Sequence, residues 1–181
     1  PDLEFRTWTR RDLIARRFRH IYWNQPAVRA GLELTRAAGP FEAVLADDID
    51  AVGLALALDP SRGVHADIHE YAPRQNDEIL VWRVFVAPYV RWMCRQFLHR
   101  ARSMSTVNDG LAAEYLRVFG LDASVVTNAT PHASLEPSEV GETILLVHSG
   151  AALRNRHLEV LVDAVEASTA AVSLDLYLMG N

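Results

Sequence analysis

The sequence predicts an α/β fold: a parallel sheet with helices on both faces. Short apolar runs alternate with helical patterns along the chain, as in strand–helix–strand units joined by right-handed crossovers. Three of those runs end in polar pairs, Asp47-Asp48, His69-Glu70 and Asn108-Asp109, which would line the carboxyl edge of such a sheet, where ligands bind. Half of the 181 residues are hydrophobic and 23% are charged, so the chain is globular and long enough to bury a core.

The elements follow in order. Residues 8–22 and 26–38 read as helices: Leu13, Ile14, Phe18 and Ile21 recur at helical spacing, and the second helix stops at Gly39-Pro40. A short strand over 41–48 runs into acids. A helix rich in alanine and leucine follows and ends at Asp59-Pro60. The next strand is GVHADIHE. Asn76 or Asp77 is positioned to cap a long helix reaching about Arg100, with a kink expected at Pro88. Residues 103–107 form a third strand, Asn108 or Asp109 caps a helix that stops at Gly120, and 124–128 form a fourth strand.

Composition changes over 129–142, which is acidic, contains proline and lacks apolar periodicity. The expected division is a first domain over 1–130, a linker over 131–142 and a second domain beginning at 143. That second domain holds a strand over 143–150, a helix from about Arg154 to Ser168 and a strand over 172–180. One strand–helix–strand unit cannot bury both faces of its sheet, so the second domain reads as incomplete. The start at Pro1 reads as that of an excised segment.

Net charge is −5, so no overall basic field argues for a nucleic-acid partner. All 18 basic residues are arginine, a bias expected of a GC-rich genome. Eight of them fall within residues 1–40 against four acids, read as a solvated helix face. The single cysteine, Cys94, sits inside a helical pattern and reads as a buried structural thiol; one cysteine permits no disulfide framework. No signal-like N-terminus is seen, and the run 79–90 is interrupted by Arg83 and too short to span a bilayer. A cytoplasmic location is expected.

The stretch GVHADIHEYAP places His65, Asp67, His69 and Glu70 within six positions. Strand periodicity puts His65, Asp67 and His69 on one face and Glu70 on the other. Three readings stand beside each other. The three residues could be zinc ligands, although His69-Glu70 does not begin the helical H-E-x-x-H motif, because Pro73 fills its last position. His65 and Asp67 could be structural. Or the segment, with the other polar strand ends, could line a cleft.

Five ordered pieces of the chain resemble a known family. FEAVLADDIDAVGLALAL is similar to a strand-Ala-Asn/Asp-Asp-helix segment, and ADIHEYAP to a Tyr-Asp-Ala-His-Glu segment. ARSMSTVNDGLAAEYLRVFG resembles a Thr-Val-Ser-containing strand and helix that ends at Phe/Tyr-Gly. VVTNATP resembles a Val-x-Asn-x-x-Pro stretch, and ILLVHSGAALRNRHLEVLVDAV a strand-Gly, loop and Arg/Lys-Gly-Leu-Glu. Together, over roughly residues 41–180, they resemble family 4 of the retaining nucleotide-sugar glycosyltransferases. That family has the GT-B fold of two Rossmann-like domains.

The resemblance implies transfer of a sugar from a nucleotide diphosphosugar to a hydroxyl acceptor, with retention. The acceptor class is a glycan, a lipid-linked molecule or a small molecule. It implies that His69 lies beside the transferred sugar, with Glu70 following in the same catalytic segment, and that Asp47 is on the acceptor side. Gly150 falls where the donor diphosphate approaches the backbone, and Arg156 on the basic residue that pairs with it. Ala151 stands where many members carry an arginine and His157 where glycine is usual; Arg154 is positioned to compensate. No cofactor is implied, and a front-face mechanism suits the chain better than a double displacement between two carboxylates. The setting implied is bacterial cell-envelope polysaccharide synthesis, with peripheral association at the inner face of the membrane where acceptors are lipid-linked. The helix over 77–100 is expected to pack on its own sheet, with a lipid surface as the other reading. A chain holding only the start of the donor domain is expected to be inactive alone. The alternatives are a metal-dependent hydrolase using His65, Asp67 and His69, and a non-catalytic α/β binding module.

Overall fold

The computed structural model describes residues 10–137, 139–153 and 156–179. It divides into two units, Pro1–Thr130 and Pro131–Asn181, each described here by itself.

The first unit is α/β, with four parallel strands in the order β1 (Val44–Asp47), β2 (Val64–Ile68), β3 (Ser103–Thr106) and β4 (Ser124–Val125). Between them run α4 (Asp48–Leu56), α5 (Ala87–Phe97) and α6 (Asp109–Phe119). Three helices precede the sheet: α1 (Arg10–Ile14), α2 (Phe18–Asn24) and α3 (Pro26–Ala38). This is a Rossmann-like α/β arrangement. No helix among the described residues is long and apolar enough to cross a membrane.

Burial alternates along β2. Val64, Ala66 and Ile68 are buried, while His65 and Asp67 between them are half-exposed. On the same pleat face as Val64 lie Ala46 and Met104, also buried. α4 packs on β1 and β2, and α5 packs on α4. The opposite face carries Leu45, which is 66% exposed, and the polar Asp47, His65, Asp67, Ser103 and Ser105. The expectation of two apolar, helix-covered faces is therefore corrected for the first unit. The reason is topological. When each crossover of one hand steps to the next strand in the same direction, every connecting helix arrives on the same side.

The predicted helix over 8–22 is broken. Arg16 has φ 52°, and the chain turns there, with Arg17 N donating to Asp12 O. The turn leaves Ile14 exposed and aims Ile21 and Tyr22 into the core. Tyr22 joins Trp23 and Phe97 in an aromatic cluster that continues through Trp92 to Tyr89 and Phe18. Its hydroxyl donates to Asp50 O at 2.8 Å and accepts from Leu54 N at 2.8 Å.

The helix expected to start at Asn76 or Asp77 starts later. Asp77 instead receives Arg74 Nε at 3.0 Å. Ahead of Pro88, where a kink is expected, the helix carries a widened π-turn over Trp82–Val86, in which Ala87 N donates to Trp82 O. Widening the turn ahead of Pro88 absorbs the missing proline N–H and the crowding its ring causes. α5 then buries Tyr89, Met93, Cys94 and Phe97 against its own unit, while Ile79, Leu80, Val81 and Val84 stay exposed. Asn108 caps α6, accepting from Leu111 N at 2.9 Å, and Gly120 ends it with φ 68°. The fourth strand is shorter than expected, two residues, extended by Val126 N donating to Thr106 O.

In the second unit β5 (Ile144–Ala151) and β6 (Val172–Met179) pair in parallel over eight residues, from Ile144↔Val172 to Ala151↔Met179. α7 (Glu159–Glu166) connects them and packs on β6. Leu145, Val147, Val160, Tyr177 and Met179 remain exposed.

Candidate functional site

In-register pairing places the residues of the open face in two rows. Leu45, His65 and Ser103 form one; Asp47, Asp67 and Ser105 form the next, nearer the carboxyl edge. The rows are side by side because parallel strands hold neighbouring residues level, and each row has a single pleat direction.

A directed chain of hydrogen bonds runs through them. Ser105 Oγ donates to Asp67 Oδ1 at 2.5 Å. With its proton committed, Ser105 accepts from His65 Nε2 at 2.9 Å, which fixes the tautomer with hydrogen on Nε2. His65 Nδ1 then accepts from Ser103 Oγ at 2.8 Å. At the far end His69 Nε2 donates to Asp67 Oδ2 at 3.0 Å. Both oxygens of Asp67 are thus held, one by a hydroxyl and one by an imidazole.

His69 lies just beyond β2, where the chain leaves the sheet. Its backbone N–H donates to Asp48 Oδ1 at 3.3 Å, and Asp47 Oδ1 stands 3.8 Å from Nε2. Asp48 has φ 62° at the turn from β1 into α4. This left-handed conformation is one that aspartate tolerates better than most residues, at some cost in strain. The hydrogen bond with Asp67, assisted by the charges of Asp67, Asp47 and Asp48, raises the pKa of His69. The Ser105 hydroxyl, followed by the His69 bond, lowers that of Asp67.

Asp47, Asp67 and His69 each offer one ligand atom, all within 4.8 Å of one another. The metal set expected from sequence, His65 with Asp67 and His69, is corrected. Both nitrogens of His65 are taken by serines, and Asp47 from the neighbouring strand occupies the third place. Asp47 is level with Asp67 on the adjacent strand, and His69 lies beyond the end of β2, so these three converge where His65, two residues back along the strand, does not.

Glu70 stands outside this cluster. Gln75 Nε2 donates to its carboxylate at 2.5 Å, and its carbonyl accepts from Tyr115 Oη at 2.9 Å. Glu70 therefore ties the loop after β2 to a 3₁₀ turn over Ala72–Arg74 and to α6.

The second unit brings Gly150 and Arg156 together. A Cβ placed on Gly150, whose φ is 158°, would lie 3.4 Å from Arg156 Nη1 and 3.6 Å from His148 Nε2. Arg154 lies outside the described residues. α7 begins at Glu159, and the carboxylate of this residue pairs with His157 Nδ1 at 3.0 Å.

Sequence reasoning missed Ser105. The signal for Ser105 was present: the polar-apolar-polar runs His-Ala-Asp and Ser-Met-Ser repeat with period two in consecutive strands, as expected of one open face. Asp48 was legible as part of a polar strand end, but its bond to the His69 N–H was not. Compared with known proteins, the chain matches no family model, no curated protein and no solved structure.

Proposed function

We propose that this protein transfers a sugar from a nucleotide diphosphosugar to a hydroxyl acceptor, with retention of configuration. In this reading 1–130 form the acceptor-side domain of a GT-B enzyme and 143–181 open its donor domain. The observation that carries the reading is the carboxylate-held His69 at the carboxyl edge of the parallel sheet, 3.0 Å from Asp67. The ordered resemblance to the retaining family adds support.

The chemistry divides by charge. Around His69 the carboxylates of Asp47, Asp48 and Asp67 suit hydroxyl donors, as a polyhydroxylated sugar or acceptor presents. Gly150 and Arg156 suit the diphosphate, because glycine admits close approach and a guanidinium binds phosphate oxygens in a fork. In the step itself the bond from the anomeric carbon to the diphosphate oxygen breaks. The acceptor oxygen attacks the same face of the sugar, and its proton passes to the departing phosphate oxygen. With its pKa raised, His69 carries more imidazolium than an ordinary histidine, and a cation beside the reacting sugar stabilises the negative charge gathering on the leaving group. Asp67 positions the ring, and the serine–His65 chain positions Asp67. Incubating the full-length protein with a panel of nucleotide diphosphosugars and hydroxyl acceptors tests this. Transfer is expected, and it falls in His69→Ala and Arg156→Ala; full turnover by either variant would remove that residue from the site.

The Asp47–Asp67–His69 grouping favours one second reading, a metal-dependent hydrolase. Its ligand set is two carboxylate oxygens and one imidazole nitrogen, which a divalent cation accepts. Stoichiometric metal by elemental analysis, lost in Asp47→Asn, would favour it over sugar transfer.

A further inference from the structure

At the amino edge of the first sheet lies a cavity of about 660 Å³. Arg62 and Arg102 border it, with Ser61, Ser103, His65 and Leu45. It stands at the end of the sheet away from His69, because β2 begins at Val64 and His69 follows its last residue, Ile68. No aspartate or glutamate lines the cavity. Among the described residues neither guanidinium has a hydrogen bond or an ion pair.

The backbone sets both arginines in place. Arg62 N donates to Glu42 O at 2.6 Å and Arg102 N to Val64 O at 2.8 Å, so each side chain leaves from a segment tied to the sheet. Gly63 adjoins both, with φ 88°. A Cβ there would meet Arg102 Cβ at 3.0 Å and Cδ at 3.2 Å, so the Arg102 stem lies along a surface that any side chain at 63 would close. Two cations on one cavity repel, and no acid in its lining offsets this. The side chains of Ser103 and His65 are committed to each other, which leaves Arg62, Arg102 and the Ser61 hydroxyl as donors. Leu45, exposed on the open face, gives the cavity an apolar side.

We propose that this cavity binds a phosphate monoester: Arg62 and Arg102 hold the phosphoryl oxygens, and the organic group lies against Leu45. The donor set favours phosphate over carboxylate. One guanidinium fork fills both oxygens of a carboxylate, whereas the three terminal oxygens and double charge of a phosphate monoester engage two. The volume falls within the range of small-molecule sites, about 300–1,000 Å³, and exceeds what a bare phosphate fills. The site is separate from His69 and does not depend on the sugar-transfer reading.

The test is calorimetry on the full-length protein with phenyl phosphate and, separately, with inorganic phosphate. It is joined by ¹⁵N NMR of the arginine Nε–H groups. Phenyl phosphate is expected to bind more tightly than inorganic phosphate, with an affinity that falls as salt is raised. Arg62→Ala and Arg102→Ala should each weaken it about tenfold or more, as for a lost hydrogen bond to a charged group. Arg102→Lys keeps the charge without the fork and should recover only part of that loss. Arg36→Ala removes a charge on α3, outside the cavity, and should leave the affinity unchanged. In the wild type the Nε signals of Arg62 and Arg102 should move when phenyl phosphate is added. Wild-type affinity in both cavity variants, equal weakening in Arg36→Ala, or binding of neither probe overturns the proposal. Equal affinity for the two probes overturns the ester. Turnover at His69 is measured apart from all of these, so a failure here leaves the sugar-transfer reading standing.

Discussion

His69 Nε2 and Asp67 Oδ2 lie 3.0 Å apart, Asp67 within β2 and His69 in the loop just beyond it. The His69 N–H donates to Asp48 Oδ1 at 3.3 Å, which ties the backbone beyond β2 to the start of α4. The pair has a definite pH signature. The ring of His69 should titrate above the ordinary value of about 6.5, because the charged form gains Asp67 as partner. Asp67→Asn should bring that titration down, as read by ¹H–¹³C NMR of the ring.

The sign of the stability effect follows from the two directions. His69 is raised, so its contribution is complete below about pH 6.5 and fades as pH rises through the folded value. Asp67 is lowered, so its contribution is present above about pH 3.9 and is lost as pH falls through its depressed value. Between these limits the loop should be held most firmly. Hydrogen exchange of the His69 amide should slow there and quicken on both sides.

Ser105 links His65 to Asp67 and is 3% exposed. Ser105→Ala removes the donor that most lowers the Asp67 pKa and leaves His65 Nε2–H unpaired. A destabilisation of about 1–3 kcal/mol is expected by denaturant melts, with the Asp67 titration moving up toward the ordinary carboxylate range. Ser105→Thr, which keeps the hydroxyl, should move the Asp67 titration far less.

Gly53 faces Tyr22 so closely that a Cβ would meet its ring at 2.6–2.7 Å. The ring cannot move away, because its hydroxyl is fixed at both Asp50 O and Leu54 N. Gly53→Ala should destabilise the first unit by about 1–3 kcal/mol through overpacking, visible as an earlier thermal transition without change at the His69 ring.

Burial pushes the Cys94 thiol up to about 12. The thiolate is the reactive form, so Cys94 should resist alkylation in the folded protein and react only on unfolding. Labelling with iodoacetamide under native and denaturing conditions measures this directly.

The alternation of strands and helices, and the caps at Asn108 and Gly120, were legible because local chemistry decides them. Asn108 has the side-chain oxygen a first turn needs, and Gly120 the positive φ. The break at Arg16 and the π-turn before Pro88 were not legible, since tertiary packing of Tyr22 and α5 decides between one helix and two. For the site, His69 was visible as a polar residue at a strand end. Asp47 was visible for the same reason, but its place beside Asp67 depends on strand register, which the sequence does not state. His65 illustrates the limit most clearly. Spacing alone grouped it with Asp67 and His69 as a ligand, while its partners Ser103 and Ser105 lay 38 and 40 residues away.

The central claim is that His69 acts on a sugar leaving a nucleotide diphosphate. Its most direct test is turnover of the full-length protein's own donor by His69→Ala, with donor binding followed in parallel and the product anomer read by NMR. The account predicts a product of retained configuration from the wild type. In the variant it predicts a rate about a hundredfold or more lower, the scale of a positioned catalytic group, with donor affinity nearly unchanged. An undiminished rate in His69→Ala, or an inverted product, would contradict it.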